Sequence, residues 1–421
     1  MSGSFTHKPL PWTVIILIHA EITENSNYNT GLVNTGGKVQ ALMNELATAR
    51  LYNDYQYFVI YMEDTGIHQR VVLLRLMPAG MAGNNQFEQM AAQEPGTGTS
   101  KEQVVTSLFK QLPVTNKQQI MLLTWGHGSV YSIFKAQPSA SVPFNFLSAD
   151  EISNCFANGL GCKVELLVMM NCWMQNIHTC AALKDSVNFL VAAQGMIMEF
   201  IYDYAGLLHA LPGADAPALC QNIKNNLRPE FSYTMKEGDA LLVSNELETL
   251  SLFFTSLHAY NIVLQETENF ITLLLTHLEE KNAAFIVRKL IKDARACIYT
   301  FDIPYQKNAA PYYMVDIISF AESLAQLDAG NFLLPFNRLS AAIRQAYVIP
   351  PYIGQRPYES YYPQAASRNF EKPPFGTGIY FPATKEQHFN SFLTKFTSSG
   401  NTVSFYRNSK WLEFLEKYYS L

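Results

Sequence analysis

The strongest constraint on this chain is a set of short strands that need cover on both sides. WTVIILIHA (12–20), YQYFVIYME (55–63), RVVLLRL (70–76), IMLLTW (120–125), VELLVMM (164–170) and NFLVAAQ (188–194) are β-prone, and several are apolar without interruption. A strand with one wet face alternates apolar and polar residues, whereas an unbroken apolar run has both faces buried. Helical segments lie between the runs, beginning with residues 35–51. Ser100 with Gln103, and Ser148 with Glu151, form capping boxes. The first precedes an amphipathic run ending near Leu112, and the second a helix that Asn158-Gly159 should stop. Strand–helix alternation of this kind predicts an α/β fold, a mostly parallel sheet flanked by helices.

At 421 residues the chain exceeds one compact core, so two domains or one core with large additions are expected. The character changes near 213, which divides a core at 1–212 from a mixed, largely helical C-terminal region at 213–421. Residues 78–100, rich in Gly, Gln, Asn and Pro, read as a long loop. Apolar residues at helical spacing predict two or three helices over 246–297, and further helices over 312–324 and 337–348, so that 246–348 is helical. The Pro- and Tyr-dense stretch 349–376 reads as an irregular surface segment. GTGIYFPA (376–383) reads as a strand and KWLEFLEKYYS (410–420) as a final amphipathic helix.

Hydrophobic content of 48% with 15% charged residues marks a packed globular protein rather than a disordered one. A net charge of −5 with no basic stretch argues against nucleic acid as a partner. Runs such as VIILI (14–18) fall far short of the roughly 20 residues that cross a bilayer, so no membrane partner is expected. MSGSFTHKPLPW has no secretory pattern, and six cysteines (155, 162, 172, 180, 220, 297) spread through a large chain do not look like a disulfide framework. A reduced cytoplasm is the expected location.

Chemistry gathers at two strand ends. MLLTWGHGS (121–129) puts His127 after one apolar run, and ELLVMMNCWM (165–174) puts Cys172 after another. Active groups in parallel α/β sheets collect at the carboxyl edge of the strands. A thiol with a pKa near 8.5 is mostly protonated at neutral pH, so a nucleophilic cysteine needs a base beside it. His127 would supply that base and later protonate the leaving amine. Gly128 has no side chain, so its N–H can approach a substrate closely and, with the N–H of Cys172, hold an oxyanion. On spacing alone a plain reading stays open, with Cys172 a small buried hydrophobe and His127 a loop tie. His19, ending the first strand, either lines this site or holds structure. Cys172, His178 and Cys180 match no zinc signature, and no metal is expected there. The other cysteines read as buried thiols.

These motifs resemble the clostripain family of caspase-fold cysteine peptidases. Members carry a strand ending in Trp-x-His-Gly and another ending in Asp-Ala-Cys-x-Met, which Trp125, His127, Gly128, Cys172 and Met174 match. NFLVAAQG (188–195), Tyr202-Asp203-Tyr204, YMVDIISFA (313–321), GTGIYFP (376–382) and WLEFLEKYY (411–419) are similar to later family elements in the same order. The resemblance implies a caspase-like core and endopeptidase action through a covalent thioester. It makes Cys172 the nucleophile, His127 the base and acid, and Gly128 with Cys172 the oxyanion hole. The implied partner is a protein or peptide substrate, and a regulated stress or defence role suits this fold and location.

Two positions depart from the pattern. Met170 stands where the family has an aspartate that accepts a basic side chain in the first pocket, and Asn171 replaces a small residue. A thioether cannot neutralise Lys or Arg, and burying that charge unpaired costs several kcal/mol. Glu199 and Asp203 are the acids placed to supply the charge from the other side, unless both are solvent-facing loop acids. If neither enters, a neutral residue before the scissile bond is expected. Family members are often activated by a cut between the two site strands. Lys135-Ala136, within 130–146, is the matching position, cut by the enzyme itself or an activating protease, or released by a signal ligand. Calcium is implied by resemblance alone, with no recognisable ligand loop, and no other cofactor is expected. The alternative is a catalytically inactive caspase-fold binding module.

Overall fold

Six apolar runs become strands, and three more strands join them. The computed structural model describes residues 11–21, 35–64, 69–79, 84–95, 99–115, 118–134, 147–198, 200–228, 232–237, 240–245, 247, 250–280, 284–298, 300–301, 313–354, 374–398 and 400–420. Its central sheet contains β1 (Trp12–Glu21), β2 (Gln56–Asp64), β3 (Gln69–Met77), β4 (Gln86–Gln93), β5 (Gln119–Trp125), β6 (Val164–Met170), β7 (Val187–Ala193), β8 (Ser251–Ser256) and β9 (Tyr352–Ile353). Their spatial order is β9-β8-β7-β6-β5-β1-β2-β3-β4. The middle five, from β7 to β2, run parallel, and an antiparallel pair borders each side.

Period-two alternation splits the core between the two faces of this sheet. Val14, Ile16 and Ile18 of β1 pack with Leu42 and Leu46 of α1 (Thr35–Thr48), while Ile15 and Leu17 join the opposite cluster. That second cluster takes in α2 (Lys101–Phe109), α3 (Ala149–Cys155) and α4 (Ile177–Leu183), whereas α5 (Tyr204–His209) and α6 (Ala216–Asn225) cover the α1 face. The 212/213 boundary falls between α5 and α6. Beyond it, β8 and β9 extend the same sheet, and α7 (Tyr260–Glu279), α8 (Ala284–Ala296), α9 (Ile317–Leu327), α10 (Ala329–Ala346) and the last helix (Trp411–Ser420) build onto the α2 face.

Several elements differ from the sequence reading. β4 lies inside the expected 78–100 loop. Its side chains are mostly exposed, because an edge strand has no second face to bury, so it carries no apolar signal. β8 heads the segment read as helical over 246–297. Its SLFFTS run is buried at five of six positions, and short buried strands and buried helix turns have the same apolar signature. Met314–Asp316 is a strand before α9, pairing with Thr300–Phe301 and Gly378–Tyr380. The helix after Ser148 passes Asn158-Gly159 as a π-helical turn and stops at Gly161, whose φ of 67° suits glycine. Both capping boxes form. No described helix is long and apolar enough to cross a membrane.

Candidate active site

β5 and β6 are neighbours in the sheet, and their last paired residues are Trp125 and Met170. His127 and Cys172 each follow two residues later, so they leave the carboxyl edge at the same height on adjacent strands about 4.8 Å apart. Both are half-buried, while Thr124, Gly128 and Asn171 around them are buried. The two loops touch through backbone. A side-chain carbon at Gly128 would lie 2.6 Å from the Cys172 carbonyl oxygen and 2.8 Å from its nitrogen. Glycine is required here for close approach. Any other residue would push the two strand ends apart.

Asn171 cross-links them. Its Nδ2 donates to the carbonyls of Gly126 at 2.9 Å and His127 at 3.1 Å, and its Oδ1 accepts the Thr124 hydroxyl. The His127 carbonyl also accepts the Phe134 N–H at 2.8 Å. Phe134 has φ +61°, a strained value for a bulky residue, and two contacts hold it there. Its ring stacks on His19 at 5.3 Å, and its carbonyl accepts the buried Lys101 Nζ at 2.9 Å. Lys101 Nζ also lies 3.0 Å from His19 Nε2. His19 therefore braces the histidine loop. Its carbonyl also packs against Gly126, where a side-chain carbon would sit 2.8 Å away and φ is +142°.

Past Cys172 the chain turns sharply at Trp173, which also has a positive φ of 60°. Trp173 N–H donates to Gly195 at 2.7 Å, and Asn176 Nδ2 donates to the Trp173 carbonyl at 2.8 Å. The Cys172 thiol meets the Ile197 carbonyl at 3.6 Å. Behind this turn Asp316 accepts six hydrogen bonds at 3% exposure, from Gln194, Ile318, Ser319, Phe375 and both donors of Thr377. It ties the 374–378 segment to the end of β7.

None of the six cysteines is in a disulfide, and Cys297 is exposed and Cys162 half-buried where buried thiols were expected. Burial pushes the thiols of Cys155, Cys180 and Cys220 up to about 12, leaving them inert at neutral pH. His178 is a structural histidine. Its Nε2 lies 2.8 Å from the Val130 carbonyl, and burial lowers its pKa to about 3. Among the described residues no group of three or more His, Cys, Asp or Glu could hold a metal ion.

Met170 is 2% exposed and packs in the α1-side core. Asp203 is engaged elsewhere. It caps α5 through the Gly206 N–H at 2.8 Å and pairs with Arg228, which also binds Glu45. The Asp203 carboxylate is thus held by a cap and an ion pair. Glu199 and Lys135 lie outside the described residues. The sequence reading marked Asn171 only as a departure and passed over Lys101 and Trp173. The one available signal was an amide side chain where the pattern has a small residue.

The model of the clostripain family of peptidases matches residues 45–418. No curated protein matches the sequence. Among solved structures, the fold is similar to a secreted C11 cysteine protease from Bacteroides thetaiotaomicron in complex with an irreversible peptide inhibitor. The TM-score is 0.58 at 14% identity, covering 93% of this chain and 99% of that one. An inactive zymogen C11 protease from Parabacteroides distasonis is similar at TM-score 0.59 and 11% identity, covering 96% and 98%.

Proposed function

The chain belongs to the clostripain family of cysteine endopeptidases, and from that premise we propose that Cys172 and His127 form its catalytic dyad. His127 takes the thiol proton as Cys172 sulfur bonds to the scissile carbonyl carbon. The N–H groups of Gly128 and Cys172 hold the oxyanion. As the intermediate collapses, the carbon–nitrogen bond breaks, the amine leaves with the proton from His127, and a thioester remains. Water, deprotonated by His127, then hydrolyses the thioester and restores the thiol. The observation carrying this reading is the backbone contact between Gly128 and Cys172, which no side chain at position 128 would allow.

A neutral residue before the scissile bond is the proposed preference, supported by the thioether of Met170 and by the commitment of Asp203 to Arg228. Cleavage at Lys135-Ala136 is the proposed activation step. An intact-mass time course should show it if the chain processes itself, and Cys172→Ala should abolish it. Six cysteines spread through a large chain in no disulfide-framework pattern support a reducing compartment, the cytoplasm, although one structural neighbour is described as secreted. Fractionation of the native source decides between them.

The deciding experiment is a cleavage profile over a mixed peptide library, comparing this protein with Cys172→Ala. Loss of all cuts in the variant, with the remaining wild-type cuts after neutral residues, is the expected result. Cuts that survive the substitution overturn the dyad, and cysteine-dependent cuts after Lys or Arg overturn the neutral pocket. A peptide warhead should label Cys172 in preference to the exposed Cys297 and the half-buried Cys162, whereas an inactive binding module would show no such preference.

A further inference from the structure

We propose that Asn171 is a positioning residue that aims one oxyanion donor, a proposal resting on the Cys172–His127 reading above. A peptide unit is planar, so its C=O and N–H point in opposite directions and move together. The unit joining His127 to Gly128 carries the His127 carbonyl at one end and the Gly128 N–H at the other. Two donors grip that carbonyl, Asn171 Nδ2 at 3.1 Å and Phe134 N–H at 2.8 Å. Holding the oxygen fixes the direction of the Gly128 N–H.

The hairpin leaves that N–H available. Gly128 pairs with Ile133 in the small sheet after β5, and the Phe134-to-His127 bond makes this a pair whose members do not bond each other. Asn171 is fully buried, and its amide has one sensible orientation. Thr124 donates to Oδ1, which turns Nδ2 toward the two carbonyls. The residue immediately before the nucleophile thus sets the hole from the side of the nucleophile's own strand. A small residue at 171 could not reach across, and here an amide performs that task.

The test separates oxyanion stabilisation from the dyad itself. Asn171→Asp keeps the shape and the acceptor for Thr124 but replaces both donations with oxygen facing oxygen. Loss of one oxyanion donor costs about 10²–10³-fold in rate, and misaiming one should cost about 10–100-fold in kcat with KM within about threefold. Peptide aldehydes form a tetrahedral adduct that uses the hole, so their affinity should fall in step. Iodoacetamide alkylates the thiolate without forming an oxyanion, so its rate at Cys172 should stay within about twofold. Activity of Asn171→Asp should partly return as pH falls and its carboxyl regains a proton to donate.

Equal losses with aldehyde and iodoacetamide would mean that the substitution displaced the dyad, and would overturn the proposal. So would unchanged aldehyde affinity in a folded variant. Should Asn171→Asp not fold, Thr124→Val frees the amide to rotate, and a severalfold loss of aldehyde affinity alone is then expected. If Cys172→Ala still cleaves, the dyad reading fails and this inference falls with it.

Discussion

Two buried polar side chains at the carboxyl edge hold loops by opposite chemistry. Asn171 lies among carbonyls and gives them its amide hydrogens. Asp316 lies among N–H and O–H groups and accepts from all of them. Asparagine and aspartate have nearly the same shape, yet neither would serve in the other's place. The turn after β5 presents oxygen inward, and the turns around Thr377 and the start of α9 present hydrogen inward. In each case the side chain supplies what the local backbone leaves unpaired, as buried polar groups require.

Exchanging the two chemistries is the sharpest way to test that contrast. Asp316→Asn turns an amide toward donors that it cannot accept. We expect a loss of unfolding free energy of about 3–5 kcal/mol, read by urea titration, with kcat per folded molecule within about twofold. Asn171→Asp should invert this pattern, with a smaller stability loss of about 1–3 kcal/mol and the larger effect on kcat. Equal stability losses would erase the distinction between a fold tie and a site tie.

His178 adds a third buried group with a pH signature. Burial, the largest cause, lowers its pKa from 6.5 to about 3, while its bond to Val130 opposes the shift. The folded state keeps it neutral, whereas the unfolded chain takes up a proton below about pH 6.5. Its contribution is complete above that value and is lost as pH falls toward 3, at up to about 1.4 kcal/mol per pH unit. Urea midpoints at pH 7.5 and 5.5 should differ more in the wild type than in His178→Gln, and equal differences would contradict the assignment. The smallest expected effect is that of Thr124→Val. Removing its single bond to Asn171 should cost about 0.5–1.5 kcal/mol, and no change at all would show that Asn171 holds its orientation without help.

Much of the fold was legible because its signals are local. The apolar runs at 12–20, 120–125 and 164–170 became β1, β5 and β6, and Ser100 and Ser148 cap the helices that their capping boxes announced. β4 and β8 were missed for opposite reasons. One is an exposed edge with no apolar pattern, and the other is buried throughout and indistinguishable by period from a helix turn. That His127, Gly128 and Cys172 stand just past strand ends could be read from the apolar runs before them. Asn171 could not be given its bonds, because its acceptors lie on a different strand and become neighbours only through the β5–β6 pairing. The Asp203–Arg228 pair was hidden for the same reason, since Arg228 lies beyond α6.

The sequence by itself determined six strands of the central sheet, the capped helices after Ser100 and Ser148, and which reactive groups stand at the strand ends. Periodicity, capping and turn chemistry act over a few residues and need no distant partner. Only the tertiary structure decided which strand lies beside which, and therefore that Gly128 meets Cys172 and that Asn171 reaches the His127 carbonyl. It also decided which thiols are silenced, since Cys155, Cys180 and Cys220 owe their raised pKa values to being enclosed. Exclusion of water and pairing of remote polar groups are properties of packed segments, and they arise only when the whole sheet is assembled.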